Sequence, residues 1–133
     1  MSKRVESALE LHSKGYNCAQ AVACAYCDLV GMDKETAFKA SEAFGAGMGG
    51  MQATCGAVSG AVMIAGLKNS SGTIDNPTKG STYKVSKNII STFKDKNKSV
   101  VCKDLKGLET KQVLRSCDGC IRDAAEILEE VLL

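Results

Sequence analysis

Apolar residues recur every three to four positions along most of the chain, and no stretch alternates apolar and polar residues convincingly enough for a half-buried strand. Val5, Ala8, Leu9 and Leu11 open a first helix that Gly15 ends. Asn17 caps a second, with Cys18, Val22, Ala25 and Leu29 on one face and Gly31 at its end. Asp33 caps a third, carrying Ala37, Phe38, Ala40, Ala43 and Phe44. The glycine-rich connection from Gly45 to Met51 precedes a fourth helix, capped by Thr54 and running to about Leu67.

Beyond the polar loop from Asn69 to Asp75, Asn76-Pro77 starts a helix whose apolar face holds Tyr83, Ile89, Ile90 and Phe93. Ser99 caps a short helix with Cys102 and Leu105, and a last helix runs from Cys117 to near the C-terminus. The pattern predicts an all-α fold, a compact bundle of about five to six helices forming a single domain over residues 1–133. With three Phe, three Tyr and no Trp, the core is expected to be built from small and aliphatic side chains.

Charge narrows the classes of function. Nine lysines face only Asp95, Asp104 and Glu109 between Lys79 and Lys111, which reads as a solvated helix face. Without interleaved aromatic residues to stack bases, no nucleic-acid partner is expected. The longest apolar run, Gly56 to Leu67, is far short of the ~20 residues a membrane span needs. Met1 to Glu10 carries acids and lacks the apolar run of a signal peptide, so a cytoplasmic protein is expected. Gly45-x-Gly47-x-x-Gly50 matches a dinucleotide fingerprint literally, but it follows a helix instead of a strand and is set aside.

Seven cysteines, an odd number in a reducing compartment, argue against a disulfide framework and for ligands, reactive thiols or buried packing. Their placement on the helices sorts them. Cys18 follows Asn17, Cys55 follows Thr54, Cys117 follows Ser116, and Cys102 falls in the first turn after Ser99. All four therefore sit where unpaired N–H groups and the positive end of a helix dipole favour a thiolate, the form that attacks electrophiles and binds metal. Cys24 and Cys27 lie about 240° and 180° around the helix from Cys18 at 100° per residue and read as packing. Cys117-Asp118-Gly119-Cys120 is a CxxC with its first sulfur at a helix start, a candidate catalytic dithiol. The only histidine, His12, reads as a surface side chain. Gly56 and Gly60 form a flat stripe on the fourth helix, and Gly56 could also keep space beside Cys55 open for a cofactor.

Three blocks carry a family resemblance: Gly15-Tyr16-Asn17-Cys18-Ala19-Gln20-Ala21-Val22, Phe44-Gly45-Ala46-Gly47-Met48-Gly49, and Thr54-Cys55-Gly56-Ala57-Val58-Ser59-Gly60-Ala61. Together with Cys102 and with Cys117 ahead of Ala124-Ala125-Glu126-Ile127-Leu128, the chain resembles the C_GCAxxG_C_C family, small bacterial proteins regarded as redox-active. The resemblance matches the family's four cysteines to Cys18, Cys55, Cys102 and Cys117 and leaves Cys24, Cys27 and Cys120 as extras. A related cysteine arrangement in a cytochrome that also carries an iron–sulfur cluster implies a cluster for this family.

The leading expectation is an iron–sulfur cluster held by Cys18, Cys55, Cys102 and Cys117, with Gly56 beside it, for electron transfer or redox sensing. One alternative is a metal-free oxidoreductase exchanging electrons through Cys117 and Cys120; another is a structural or storage module for zinc. A redox partner of unknown identity is implied, and the small-residue helix faces leave room for a homodimer.

Overall fold

A computed structural model describes residues 1–133 and contains seven α-helices and no strand. They are α1 (Lys3–Ser13), α2 (Cys18–Tyr26), α3 (Lys34–Ser41), α4 (Gly56–Asn69), α5 (Lys79–Asn97), α6 (Cys102–Lys106) and α7 (Cys117–Leu132). The all-α reading holds, with seven helices against the five to six expected, and the short helix expected around Cys102 and Leu105 is α6. No helix is long and apolar enough to cross a membrane.

The core is a cluster of 27 buried residues. Tyr26, Ile64, Ile89, Phe93, Leu105, Ile121 and Leu128 are among its largest members, each contributing about 1.5–3 kcal/mol by burial. Much of the rest is alanine, and this decides the geometry. Small side chains let α2 and α4 approach until a Cβ placed on Gly60 would lie 2.7 Å from the Ala19 carbonyl oxygen. Because Ala19 directly follows Cys18, this contact fixes how far the first turn of α2 sits from α4.

Several element boundaries differ from expectation for physical reasons. Helix α2 ends at Tyr26 and tightens into a 3-10 turn, Cys27–Val30, leaving Leu29 exposed. Helix α3 likewise gives way to a 3-10 turn at Glu42–Phe44, and Ala40 and Ala43 face solvent. Helix α5 starts at Lys79, two residues after Pro77. Tyr83 is exposed: it shares a flank with the half-buried Ile90, about 20° away around the helix, and not the Ile89–Phe93 face that enters the core.

Thr54 does not cap α4. It pairs with Val101 in an isolated antiparallel bridge, and Cys55 itself is the N-cap residue. Two main-chain bonds make that clamp, Cys55 N–H to the Val100 carbonyl at 2.7 Å and Cys102 N–H to the Ala53 carbonyl at 2.9 Å. Ser99 is not the cap of α6 either: Val101 is, while the Ser99 hydroxyl accepts from the Val101 N–H and donates to Asp104. The clamp holds the starts of α4 and α6, and so Cys55 and Cys102, side by side.

Candidate thiol site

Cys18, Cys102 and Cys117 are the first residues of α2, α6 and α7, and Cys55 is the N-cap of α4. Local chemistry sets each helix start. The Asn17 side chain accepts from the Gln20 N–H at 2.9 Å while the Gln20 side chain accepts from the Asn17 N–H at 3.0 Å, a reciprocal capping box. Asn17 also donates to the Glu42 carbonyl at 3.0 Å, tying the turn before α2 to the end of α3. Ser116 caps α7 by accepting from the Gly119 N–H at 3.0 Å. The turn that precedes it is fixed by Arg115, which forms two bonds of 3.1 Å to the carboxylate of Asp123, itself buried and bonded to Asn97.

The four helix starts converge. Cys18, Cys55, Cys102, Cys117 and Cys120 all line one cavity of about 190 Å³, together with Gly56 and the apolar side chains of Met51 and Leu105. Cys24 and Cys27 lie elsewhere, buried in the core, with Cys24 directed at the Lys34 carbonyl and Cys27 at the Cys24 carbonyl. All seven cysteines are free thiols. No three His, Cys, Asp or Glu side chains, as they stand, are grouped to hold a single metal ion.

The glycine-rich connection forms one wall. Ala46, Met48 and Met51 adopt left-handed backbone conformations beside Gly47 and Gly49, a costly arrangement for residues with a Cβ. Its effect is closeness: Gly47, at φ 55°, approaches Cys102 so tightly that a Cβ there would stand 2.5 Å from the Cys102 Cβ. Gly56 is constrained in the same way, a Cβ there lying 3.0 Å from the Phe44 carbonyl oxygen and 3.3 Å from the Ala19 nitrogen. Its small size thus serves packing while it borders the cavity.

Electrostatics divide the five sulfurs. The Cys55 thiol is drawn down to about 7, chiefly by a hydrogen bond from Cys120, with help from the Ala57 and Val58 N–H groups and Lys106. Burial opposes this but does not prevail. Cys120 is pushed up, first by the same bond with Cys55 and then by burial. Burial, followed by the charges of Cys55 and Cys117, pushes Cys18 up to about 12, and burial also raises Cys102. Lys106 donates to the Cys117 sulfur, and that bond raises the lysine. Cys55 is thus drawn toward the thiolate near neutral pH, while the Lys106 cation is held at Cys117.

Three contributors to the cavity went unrecognised in the sequence. Lys106 lies one helical turn beyond Cys102, a spacing that could have revealed it. His12, expected at the surface, lines the cavity and bonds Asp118 at 2.8 Å across the α1–α7 contact. Arg115 had no local signal, since its role comes from the packing of Asp123. Of the CxxC pair, Cys117 meets Lys106, whereas the Cys120 thiol donates to the Arg115 carbonyl at 3.9 Å.

Comparison with curated proteins and with solved structures finds no match. Residues 16–131 match the family model described as "Putative redox-active protein (C_GCAxxG_C_C)", a span that takes in all five cavity cysteines and the glycine-rich wall, and the chain belongs to that family.

Proposed function

We propose that the chain is an electron-transfer or redox-sensing protein whose cavity sulfurs bind an iron–sulfur cluster, with Cys18, Cys55, Cys102 and Cys117 as the ligands. The observation that carries this reading is the convergence of five cysteines from α2, α4, α6 and α7 on one cavity. The donor set suits such a group: soft sulfurs in the number a cluster takes, unpaired N–H groups at the helix starts, and the Lys106 cation against the accumulated negative charge. Bound there, a cluster would supply one-electron oxidation and reduction.

The protein's own residues have separate tasks. Met51 and Leu105 keep part of the wall apolar, which limits water around the sulfurs. The clamp between residues 53–55 and 100–102 fixes Cys55 and Cys102 to the same piece of backbone framework. The capping box of α2 and the Ser116 cap of α7 position Cys18 and Cys117. Zinc storage and metal-free exchange at Cys117 and Cys120 are the competing readings.

Metal and sulfide analysis of anaerobically purified protein separates the three. Iron with acid-labile sulfide and visible absorption that reduction bleaches is the expected result. Stoichiometric zinc without sulfide, or metal-free protein after reconstitution with iron and sulfide, would reject the cluster.

A further inference from the structure

We infer that a groove between α4 and α5 is the docking site for a small redox protein with an acidic surface. The groove encloses about 390 Å³, and Phe44, Met48, Val58, Val62, Met63 and Ile90 supply its apolar lining, with no charged residue among the rest. Met48 is 49% exposed although its backbone is left-handed, at φ 65°. An apolar side chain thus stands in solvent at a position that costs conformational energy. Grouped apolar surface of this kind marks a contact with another molecule.

The rim decides the chemistry of the partner. On α5, Tyr83, Lys87, Ile90 and Lys94 fall within about 60° of the helix circumference at 100° per residue, so two exposed lysines and an exposed tyrosine stand beside the apolar floor that Ile90 joins. Of the α5 lysines only Lys96 reaches a carboxylate, that of Glu126, which leaves Lys87 and Lys94 without an ionic partner. Nothing nearby neutralises them. Helix α4 and residues 45–54 contain no acid, and Asp95, the one acid of α5, lies about 140° around the helix from Ile90. Glu42, two residues before Phe44, accepts from the Gln20 side chain at 3.2 Å and so is turned toward α2. A basic rim around an uncharged floor fits a surface that sets carboxylates around an apolar centre.

The class of occupant follows from what lies behind the groove. Neighbours along one stretch of chain divide between the two hollows: Met48 and Thr54 line the groove, whereas Gly47, Met51, Cys55 and Gly56 line the thiol cavity. A protein seated in the groove is therefore separated from the sulfurs by a single layer of chain, without entering the cavity. That the occupant carries electrons rests on the proposed function; that it is an acidic protein rests on the groove alone.

The test is an NMR titration of the isotope-labelled chain, purified anaerobically with whatever metal it holds, using two acidic electron carriers as probes, a flavodoxin and a plant-type ferredoxin. At least one should bind, with an affinity that falls as salt is raised, and shift the amides of Met48, Thr54, Val62, Tyr83, Lys87 and Ile90. Lys87→Glu should weaken binding about fivefold or more, whereas Lys3→Glu, the same change in net charge at an exposed position on α1, should alter it less than about twofold. Met48→Asn removes the apolar side chain, tolerates the left-handed backbone, and should also weaken binding. Circular dichroism establishes that the variants fold.

No binding of either probe, equal losses in Lys87→Glu and Lys3→Glu, or shifts confined to the cavity mouth at His12, Lys106 and Arg115 would overturn the docking site. So would groove shifts that follow the chain's own concentration, which would assign the groove to a second copy, or tighter binding of phosphatidylglycerol vesicles or a single-stranded oligonucleotide than of either probe. If the groove binds a probe and the chain takes up no iron on reconstitution, the docking site stands and the cluster reading falls.

Discussion

Replacing Gly60 by Ala adds a single methyl group where α2 and α4 are closest. That methyl would sit 2.7 Å from the Ala19 carbonyl oxygen and 3.2 Å from the Ala19 Cα, and these are backbone atoms that no rotamer change can move aside. The helices must separate, at an overpacking cost of about 1–3 kcal/mol. Ala is the better helix former by about 0.8–1.0 kcal/mol, which offsets part of that cost. The net expectation is destabilisation by about 1–2 kcal/mol, set toward the larger overpacking values because the obstacle is main chain.

Gly66 on the same helix provides the control. A Cβ there meets only the Thr82 methyl, at 3.9 Å, an ordinary contact. Gly66→Ala should therefore stabilise by about 0.4–1 kcal/mol, through helix propensity and a less flexible unfolded chain. At roughly 3–5 °C per kcal/mol for a domain of this size, the two variants should melt several degrees apart, on opposite sides of the unsubstituted protein. Thermal unfolding followed by circular dichroism measures this directly. Equal midpoints, or Gly60→Ala melting above Gly66→Ala, would refute the claim that α2 and α4 are in backbone contact and that this contact sets the position of Cys18.

Other outcomes follow from the same structure. In metal-free protein, alkylation of Cys55, read by mass spectrometry of peptide 40–68, should rise with a midpoint near pH 7, and Cys120→Ala should move that midpoint upward. Stability should fall as pH rises from about 9: an unfolded thiol ionises near 9 whereas folded Cys24 keeps its proton to about 11, so the unfolded state releases protons first. Guanidinium midpoints at pH 8.5 and 10.5 should show the drop, reduced in Cys24→Ser. Asp123→Ala should cost about 2–4 kcal/mol in a denaturant titration, because it strips both bonds from Arg115 and one from Asn97. The turn leading to Cys117 should then exchange its amide hydrogens faster.

What the sequence discloses and what it hides follow the range of the interactions. Asn17 with Gln20 three residues on is a local signature, and the capping box it announces is present. The same short-range logic placed Cys18 and Cys117 at helix starts, as Asn17 and Ser116 are both caps. Thr54 and Ser99 looked like caps of the same kind. Both were displaced by one long-range event, the pairing of residues 53–55 with 100–102, which no local pattern encodes.

Site residues divide in the same way. Lys106 was readable from its distance to Cys102, whereas His12 enters the cavity only because α1 packs on α7 and brings Asp118 to it. Cys24 and Cys27 were separated from the others by helical angle alone, and burial in the core accounts for them. The partner of Cys120 was hidden, because the CxxC spacing points to Cys117 and the fold turns its thiol to the Arg115 carbonyl.

The most direct test of the four-ligand site is the iron and acid-labile sulfide content per chain after anaerobic reconstitution, compared between Cys102→Ser and Cys24→Ser. Cys102 lines the cavity and Cys24 does not, though both are buried and both are thiols. The predicted result is loss of iron and sulfide in Cys102→Ser with full retention in Cys24→Ser. Equal content in the two variants, or none in the unsubstituted chain, would contradict the account.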